Sequence, residues 1–199
     1  MKNTEEVVWI LEESEFGILL GAKGIFRFQG LPLRNLPKTE EEILKKLWNM
    51  EKKGILTSNG VDFIVEKGLA QCIHLLENSR GLLVITPESE GLPQSFCYPA
   101  EELLVCQEVL FRKDTLKLQK MPWKQLEELL DQEGGYTRLQ YYEKNRDRIR
   151  NELSIRCGRE CYRVEDTGEE YTWKELEHML RAWMEDRKND FGGYLCSGT

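Results

Sequence analysis

The spacing of apolar residues changes character several times along the first third of the chain. A threonine and two acids at positions 4–6 precede apolar residues up to Leu11, which predicts a short helix over residues 4–11. Two apolar runs, 18–20 and 25–28, flank the turn-like segment 21–24 and predict a β-hairpin between Phe16 and Phe28. The pattern therefore predicts a helix and then a hairpin at the start of the chain.

A second helix is predicted to begin after Thr39. Thr39 and Glu42 have the spacing of a capping box, in which each side chain satisfies a free backbone N–H. The helix is predicted to end at Lys53-Gly54, where cations and a glycine suit a C-terminus. Apolar residues follow at helical spacing and predict a buried stripe: Ile43, Leu44, Leu47, Trp48 and Met50.

A hairpin and a third helix follow. Asn59-Gly60 lies between apolar runs in residues 55–65, and this dipeptide favours a tight turn in which both residues have positive φ. Residues 66–78 carry apolar positions at helical spacing. The stretch from Ile43-Leu44 through Lys53–Leu56 to Phe63–Val65 resembles the winged-helix module of bacterial regulators. Such a regulator, with a C-terminal effector or dimerisation domain, is the alternative hypothesis for function.

From Gly81 onward the pattern indicates short strands and an internal repeat. Predicted strands cover 82–85, 94–98, 103–110, 115–119, 149–157 and 160–164. Residues 123–130 and 173–180 match at five of eight positions, and each follows a predicted hairpin. We interpret the match as two related ββα units, within Leu103–Leu130 and Leu153–Trp183.

These elements predict an α+β fold with three parts. Residues 1–80 form a helix-hairpin-helix, winged-helix-like block, and residues 81–190 form an antiparallel sheet covered by the helices of the two ββα units. Residues 191–199 are predicted to be a flexible tail.

Composition and charge restrict the function classes. The net charge of −7 disfavours nucleic acid as a partner, because phosphate contacts need a cationic surface. The longest apolar runs are far shorter than the roughly 20 residues of a membrane span, and the acidic opening is unlike a secretory signal. We therefore predict a cytoplasmic protein with no membrane partner.

The residues that could carry chemistry are few and separated. His74 and His178 are the only histidines, and Cys157-x-x-x-Cys161 is the only close pair of the six cysteines. A structural zinc site would need a second pair, so the pair is better explained as flanking a turn. Cys72 and His74 point apart on a helix and cannot form a dyad. We therefore expect no enzyme activity, no metal and no cofactor.

One segment combines arginine with tyrosine. Arg146, Arg148 and Arg150 alternate along the chain shortly after Tyr141 and Tyr142. This composition is typical of protein interfaces and also of RNA-binding strands. A solvated strand face paired with neighbouring acids is the simpler explanation and the one that the sequence favours. These five residues are the candidate partner surface.

The whole pattern resembles the EspG-like chaperones of ESX (type VII) secretion systems. The resemblance lies in the Leu103–Leu130 and Leu153–Trp183 units and in the passage from the helix at 68–76 to the strand at Gly81–Ile85. It implies a cytosolic, cofactor-free α+β protein that holds a helical secretion substrate. A non-enzymatic adaptor or chaperone with another protein as partner is therefore the leading hypothesis, and a homodimer stays open.

Overall fold

The computed structural model describes residues 8–31 and 33–185, which form eleven strands, four α-helices and one 3₁₀-helix. The α-helices are α1 (Glu13–Ala22), α2 (Glu40–Lys52), α3 (Lys67–Glu77) and α4 (Trp173–Met184), and the 3₁₀-helix covers Trp123–Leu129. The strands are β1 (Val8–Glu12), β2 (Leu56–Ser58), β3 (Phe63–Val65), β4 (Gly81–Pro87), β5 (Ser95–Pro99), β6 (Leu103–Glu108), β7 (Thr115–Met121), β8 (Tyr136–Glu143), β9 (Ile149–Cys157), β10 (Tyr162–Val164) and β11 (Glu170–Tyr171).

Nine strands form one antiparallel sheet in the order β1-β7-β6-β5-β4-β8-β9-β10-β11, and β2 and β3 form a separate hairpin. The α+β class is confirmed. The large sheet contains two four-stranded meanders, β4 to β7 and β8 to β11, and β1 adds a ninth strand beside β7. The meanders begin at the neighbouring central strands β4 and β8 and run outward in opposite directions. β4 and β8 are antiparallel neighbours, with Ile85 opposite Leu139, so an approximate twofold axis between them relates the two meanders.

Each meander is followed by a helical segment, the 3₁₀-helix after β7 and α4 after β11. Both segments pack on one face of the sheet, where Leu126 and Leu176 share a core with Ile85 and Leu139. The repeating unit in the structure has four strands and a helical segment. It is therefore longer than the unit of two strands and a helix predicted from the sequence. Strand β8, which begins the second meander, was missing from the predicted elements.

The other face of the large sheet carries the N-terminal helices. Because side chains alternate along a strand, Val84 and Leu104 point to this face while Leu83 and Val105 point to the opposite one. Phe16 of α1, Met50 of α2 and Leu69 of α3 are buried in the same core. With β1 paired to β7 at the sheet edge, the N-terminal helices share one continuous core with this face of strands β4 to β7.

Two N-terminal predictions were wrong. Residues 8–12 of the predicted helix form β1, and residues 4–7 lie outside the described residues. The predicted hairpin between Phe16 and Phe28 is largely α1, whose N-terminus is closed by a reciprocal capping box between Glu12 and Glu15. Burial of Phe16, Leu19 and Leu20 stabilises a helix whose sequence has weak amphipathic periodicity.

The hairpin at 55–65 is confirmed, but its turn differs from the expected one. Ser58 pairs with Phe63, so four residues connect the strands. Only Gly60 has positive φ, at 86°. Asn59 instead accepts backbone hydrogen bonds from Val61 and Asp62 through its side chain, which closes the turn.

Candidate functional site

The structure separates the tyrosines from the arginines of the predicted partner surface. Tyr141 is 2% exposed in β8, and its hydroxyl donates to the carbonyl of Arg80 at 3.2 Å. The prediction that Tyr141 lines a partner surface was therefore wrong. Tyr142, on the other side of the sheet, is partly buried against the core formed with the N-terminal helices. Alternation along β8 sends neighbouring tyrosines to opposite faces.

Arg146 and Arg148 lie in the turn between β8 and β9, and Arg150 lies near the start of β9. Arg146 and Arg150 both form ion pairs with Glu143, at 2.7 and 2.6 Å. Arg148 is exposed, and no ion pair of it is seen within residues 8–185. The charge of the cluster is therefore partly neutralised by Glu143 at the end of β8.

Next to this turn lies a groove of about 630 Å³. It is built by the loop after α1, by the C-terminal end of α3 and by the start of the β8–β9 turn. Cations dominate its rim, since Lys23, Arg27 and Lys144 face a single acid, Glu77. We call this feature the basic groove. Sequence reasoning missed it because its three segments are distant in the chain.

A second surface is apolar and belongs to α2 and the β2–β3 hairpin. Leu44 and Trp48 lie one helical turn apart, and Trp48 is 58% exposed. The hairpin adds three further exposed apolar side chains, Val61, Phe63 and Ile64. We call these five residues the α2–hairpin surface. The expectation that Leu44 and Trp48 are buried within the chain was wrong, and of the predicted stripe only Met50 is fully buried.

Ion pairs fix α2 to α1. The fully buried carboxylate of Glu15 accepts from the Lys53 ammonium at 2.6 Å, and Lys53 also pairs with Glu12 at 3.0 Å. Lys46 forms a second ion pair with Glu12, at 2.5 Å. Glu12 has its pKa lowered, first by the hydrogen bond from Lys46 and then by that from Lys53. These ion pairs therefore hold α2, the helix of the α2–hairpin surface, against α1 and the end of β1.

The four buried thiols lie in environments that disfavour nucleophilic chemistry. Burial raises the pKa of the Cys72 thiol to about 11 and raises the pKa of Cys97, Cys106 and Cys157 as well. A thiol nucleophile needs the opposite shift. Cys157 contacts the Thr137 hydroxyl at 3.7 Å.

The histidines and the close cysteine pair have the side chains that could ligate a metal ion. His74 is exposed and lies 3.8 Å from Glu77, and His178 is exposed. Cys157 and Cys161 flank the turn between β9 and β10, as the sequence suggested. Among residues 8–31 and 33–185, no group of three or more histidine, cysteine or acidic side chains is placed to hold a metal ion.

No helix among the described residues is long and apolar enough to cross a membrane. Neither a model of a known protein family nor a curated protein matches the sequence.

Proposed function

We propose that this protein is a non-enzymatic adaptor or chaperone that binds a helical protein partner through the α2–hairpin surface. The observation that carries the proposal is the exposure of Leu44 and Trp48, one turn apart on a helix that is capped and salt-bridged to its neighbour. Large apolar side chains grouped on an ordered surface are typical of interaction sites. Tryptophan in particular is enriched among residues whose truncation costs the most binding energy.

The spacing of these residues favours a helix as the partner. Apolar side chains four residues apart form a ridge on α2 that fits the groove between side chains of a second helix. The hairpin residues Phe63 and Ile64 extend the apolar area beside that ridge. A helical secretion substrate, the partner implied by the resemblance to EspG-like chaperones, has the required form.

The charge of the same surface argues against the regulator alternative. A DNA-reading helix presents arginine, lysine, asparagine or glutamine to base edges and places cations near phosphates. The N-terminal turn of α2 carries Glu40, Glu41 and Glu42, and the hairpin tip carries Asp62. These acids would face the phosphate backbone in a winged-helix complex.

The test compares tagged copies of the protein purified from its own cell. The Leu44→Ser/Trp48→Ser variant removes the apolar ridge, and Leu110→Ser/Phe111→Ser makes a similar change at exposed residues of the β6–β7 turn. We expect one protein to be recovered with the wild type and the control, and lost with the α2 variant. Titration of that purified partner should show an affinity loss of at least about thirtyfold, the equivalent of roughly 2 kcal/mol.

Two outcomes would contradict the proposal. A partner that binds the α2 variant as tightly as the wild type would remove this surface from the function. Tight, salt-sensitive binding to genomic fragments in a gel shift would favour the winged-helix regulator instead, because release of counterions from DNA makes such binding strongly salt-dependent.

A further inference from the structure

We propose that the basic groove binds an acidic peptide segment of the partner, with Phe26 as the apolar contact and Lys23, Arg27 and Lys144 as the charged ones. This inference rests on the proposed function, since it assigns a second contact to the same protein partner. It concerns a different surface from α2, so the two can be tested separately.

The loop that forms one wall of the basic groove is held at several points. The Phe28 ring packs 5.3 Å from Phe16 and 5.4 Å from Tyr98, measured between centroids. The Tyr98 hydroxyl donates to the carbonyl of Gln29 at 2.6 Å. Gly30, with φ of 114°, lets the chain pass over that hydroxyl, since a Cβ there would lie 2.5 Å from it. The loop backbone is thus fixed by the core.

The opposite wall is tied to this loop by one side chain. The Gln29 amide nitrogen donates to the carbonyl of Arg146 at 2.5 Å, and its oxygen accepts from the Asn145 N–H at 3.2 Å. Lys144 donates to the carbonyl of Glu77 at 2.6 Å, near the C-terminal end of α3. The three walls are therefore connected by hydrogen bonds before any ligand arrives, which lowers the entropic cost of binding.

Phe26 is displayed by this arrangement. Its neighbours Ile25 and Phe28 pack against the core, while Phe26 itself lines the groove and is 87% exposed. The adjacent Arg27 is also exposed. An aromatic ring beside an arginine is a combination enriched in protein interfaces. An apolar side chain of the ligand could bury part of this ring.

Charge defines the class of ligand. The chain has a net charge of −7, yet the groove presents Lys23, Arg27 and Lys144 against the acid Glu77. The exposed Arg148 lies on the turn that continues from its rim. A local positive surface on an acidic protein attracts an acidic segment and orients its approach. The groove volume of about 630 Å³ is within the range of sites that hold short peptides or drug-sized ligands.

Nucleic acid is the competing ligand class, because aromatic and cationic side chains also bind single strands. The observations favour the peptide. Glu77 lines the groove, and Glu143 neutralises part of the charge of Arg146 and Arg150. Phosphate binding improves with a continuous cationic track.

The experiment measures fluorescence anisotropy of labelled probes with the full-length protein. The first probe is a peptide in which glutamate and leucine alternate, the second replaces glutamate with lysine, and the third is an oligothymidylate. We expect micromolar binding of the acidic peptide, weaker binding at high salt because screening weakens the charge attraction, and no binding of the lysine peptide.

Paired variants locate the site. Phe26→Ala/Arg27→Glu should weaken binding of the acidic peptide by at least about tenfold. Phe111→Ala/Arg112→Glu makes the same chemical change at another exposed phenylalanine–arginine pair, in the β6–β7 turn, and should stay within about twofold of the wild type. Lys23→Glu, a single substitution of an exposed residue at the start of the loop after α1, should also weaken binding of the acidic peptide. Thermal unfolding should be alike in all variants.

The results separate this inference from the proposed function. Absence of peptide binding, equal binding by both paired variants, or tighter binding of the oligothymidylate would overturn the basic groove as a peptide site. None of these results bears on whether the partner is lost with Leu44→Ser/Trp48→Ser. That variant should keep its affinity for the acidic peptide, because the α2–hairpin surface does not line the groove.

Discussion

The salt-bridge network beneath α2 gives the sharpest prediction about stability. Replacing Lys53 with methionine keeps the aliphatic stem and removes the ammonium. Within residues 8–31 and 33–185, the fully buried Glu15 carboxylate then keeps only the hydrogen bond from the backbone N–H of Glu12, at 2.9 Å. The oxygen that accepted from Lys53 loses the hydrogen-bond partner that the structure gives it.

The expected cost follows from burial. Removing one partner of a buried ion pair typically costs about 3–5 kcal/mol. Because the Lys53 side chain is 43% exposed, water can reach part of the vacated space, and we expect roughly 2–3 kcal/mol for Lys53→Met. In a chain of this size that corresponds to a fall in Tm of roughly 5–10 °C.

Lys46→Met is the matched control. It removes an ammonium from Glu12, whose side chain is 45% exposed and retains Lys53, so the cost should be about 1 kcal/mol or less. Adding Glu15→Gln to Lys53→Met should recover part of the loss, because no charge is then stranded. Urea unfolding followed by circular dichroism measures all four proteins. Equal losses for Lys53→Met and Lys46→Met would refute the reasoning.

The same network predicts how the unfolding free energy depends on pH. The pKa of Glu12 is lowered from 4.5, so its contribution is present above pH 4.5 and is lost as the pH falls through the folded-state pKa. Burial disfavours the Lys53 ammonium, but the hydrogen bonds to Glu15 and Glu12 outweigh it and raise the pKa above 10.5. Its contribution is present below pH 10.5 and is lost as the pH rises through the folded-state pKa. The stability difference between wild type and Lys53→Met should therefore be largest near neutral pH.

Three further measurements test the packing. Leu126→Ala should lower the unfolding free energy by about 2–5 kcal/mol, since it opens a cavity between the 3₁₀-helix and the sheet. Gly30→Ala should cost about 1–3 kcal/mol because of its positive φ and a close tyrosine hydroxyl, whereas Gly21→Ala, in a helix with open space around it, should gain up to roughly 1 kcal/mol. Iodoacetamide at pH 8 should label the partly exposed Cys161 long before the buried Cys72, because at this pH only about one Cys72 thiol in a thousand is ionised. Equal labelling rates of the two cysteines by mass spectrometry would contradict the burial of Cys72.

Elements with local signals were predictable from the sequence. The capping box of Thr39 and Glu42 marks the start of α2, and Thr172 with Glu175 marks that of α4, because these residues satisfy free N–H groups wherever the helix packs. The Asn59-Gly60 turn located the small hairpin although its turn geometry was different. Strands of the first meander were bounded by glycine, proline and charged turns and were also found.

Elements without such local signals were not predicted correctly from the sequence. The residues of β1 have a strand's composition, but an acidic N-terminal run imitated a helix start, and pairing with β7 decided the outcome. α1 contains Gly21 and is followed by Gly24, a pattern that suggests a turn, and burial of Phe16 and Leu20 outweighs that propensity. The prediction of the partner surface failed for the same reason. Tyr141 is buried because it lies in β8, and the local pattern did not predict that strand.

The sequence by itself determined the α+β class, the capped helices and the existence of a repeat, because each depends on residues close together in the chain. Only the tertiary structure decided that the repeat is a four-stranded meander with a helical segment, that Trp48 stays at the surface, and that three distant segments enclose a basic groove. Strand order and burial depend on contacts between residues far apart in sequence. Local periodicity carries no information about which of several apolar faces the core has room to cover.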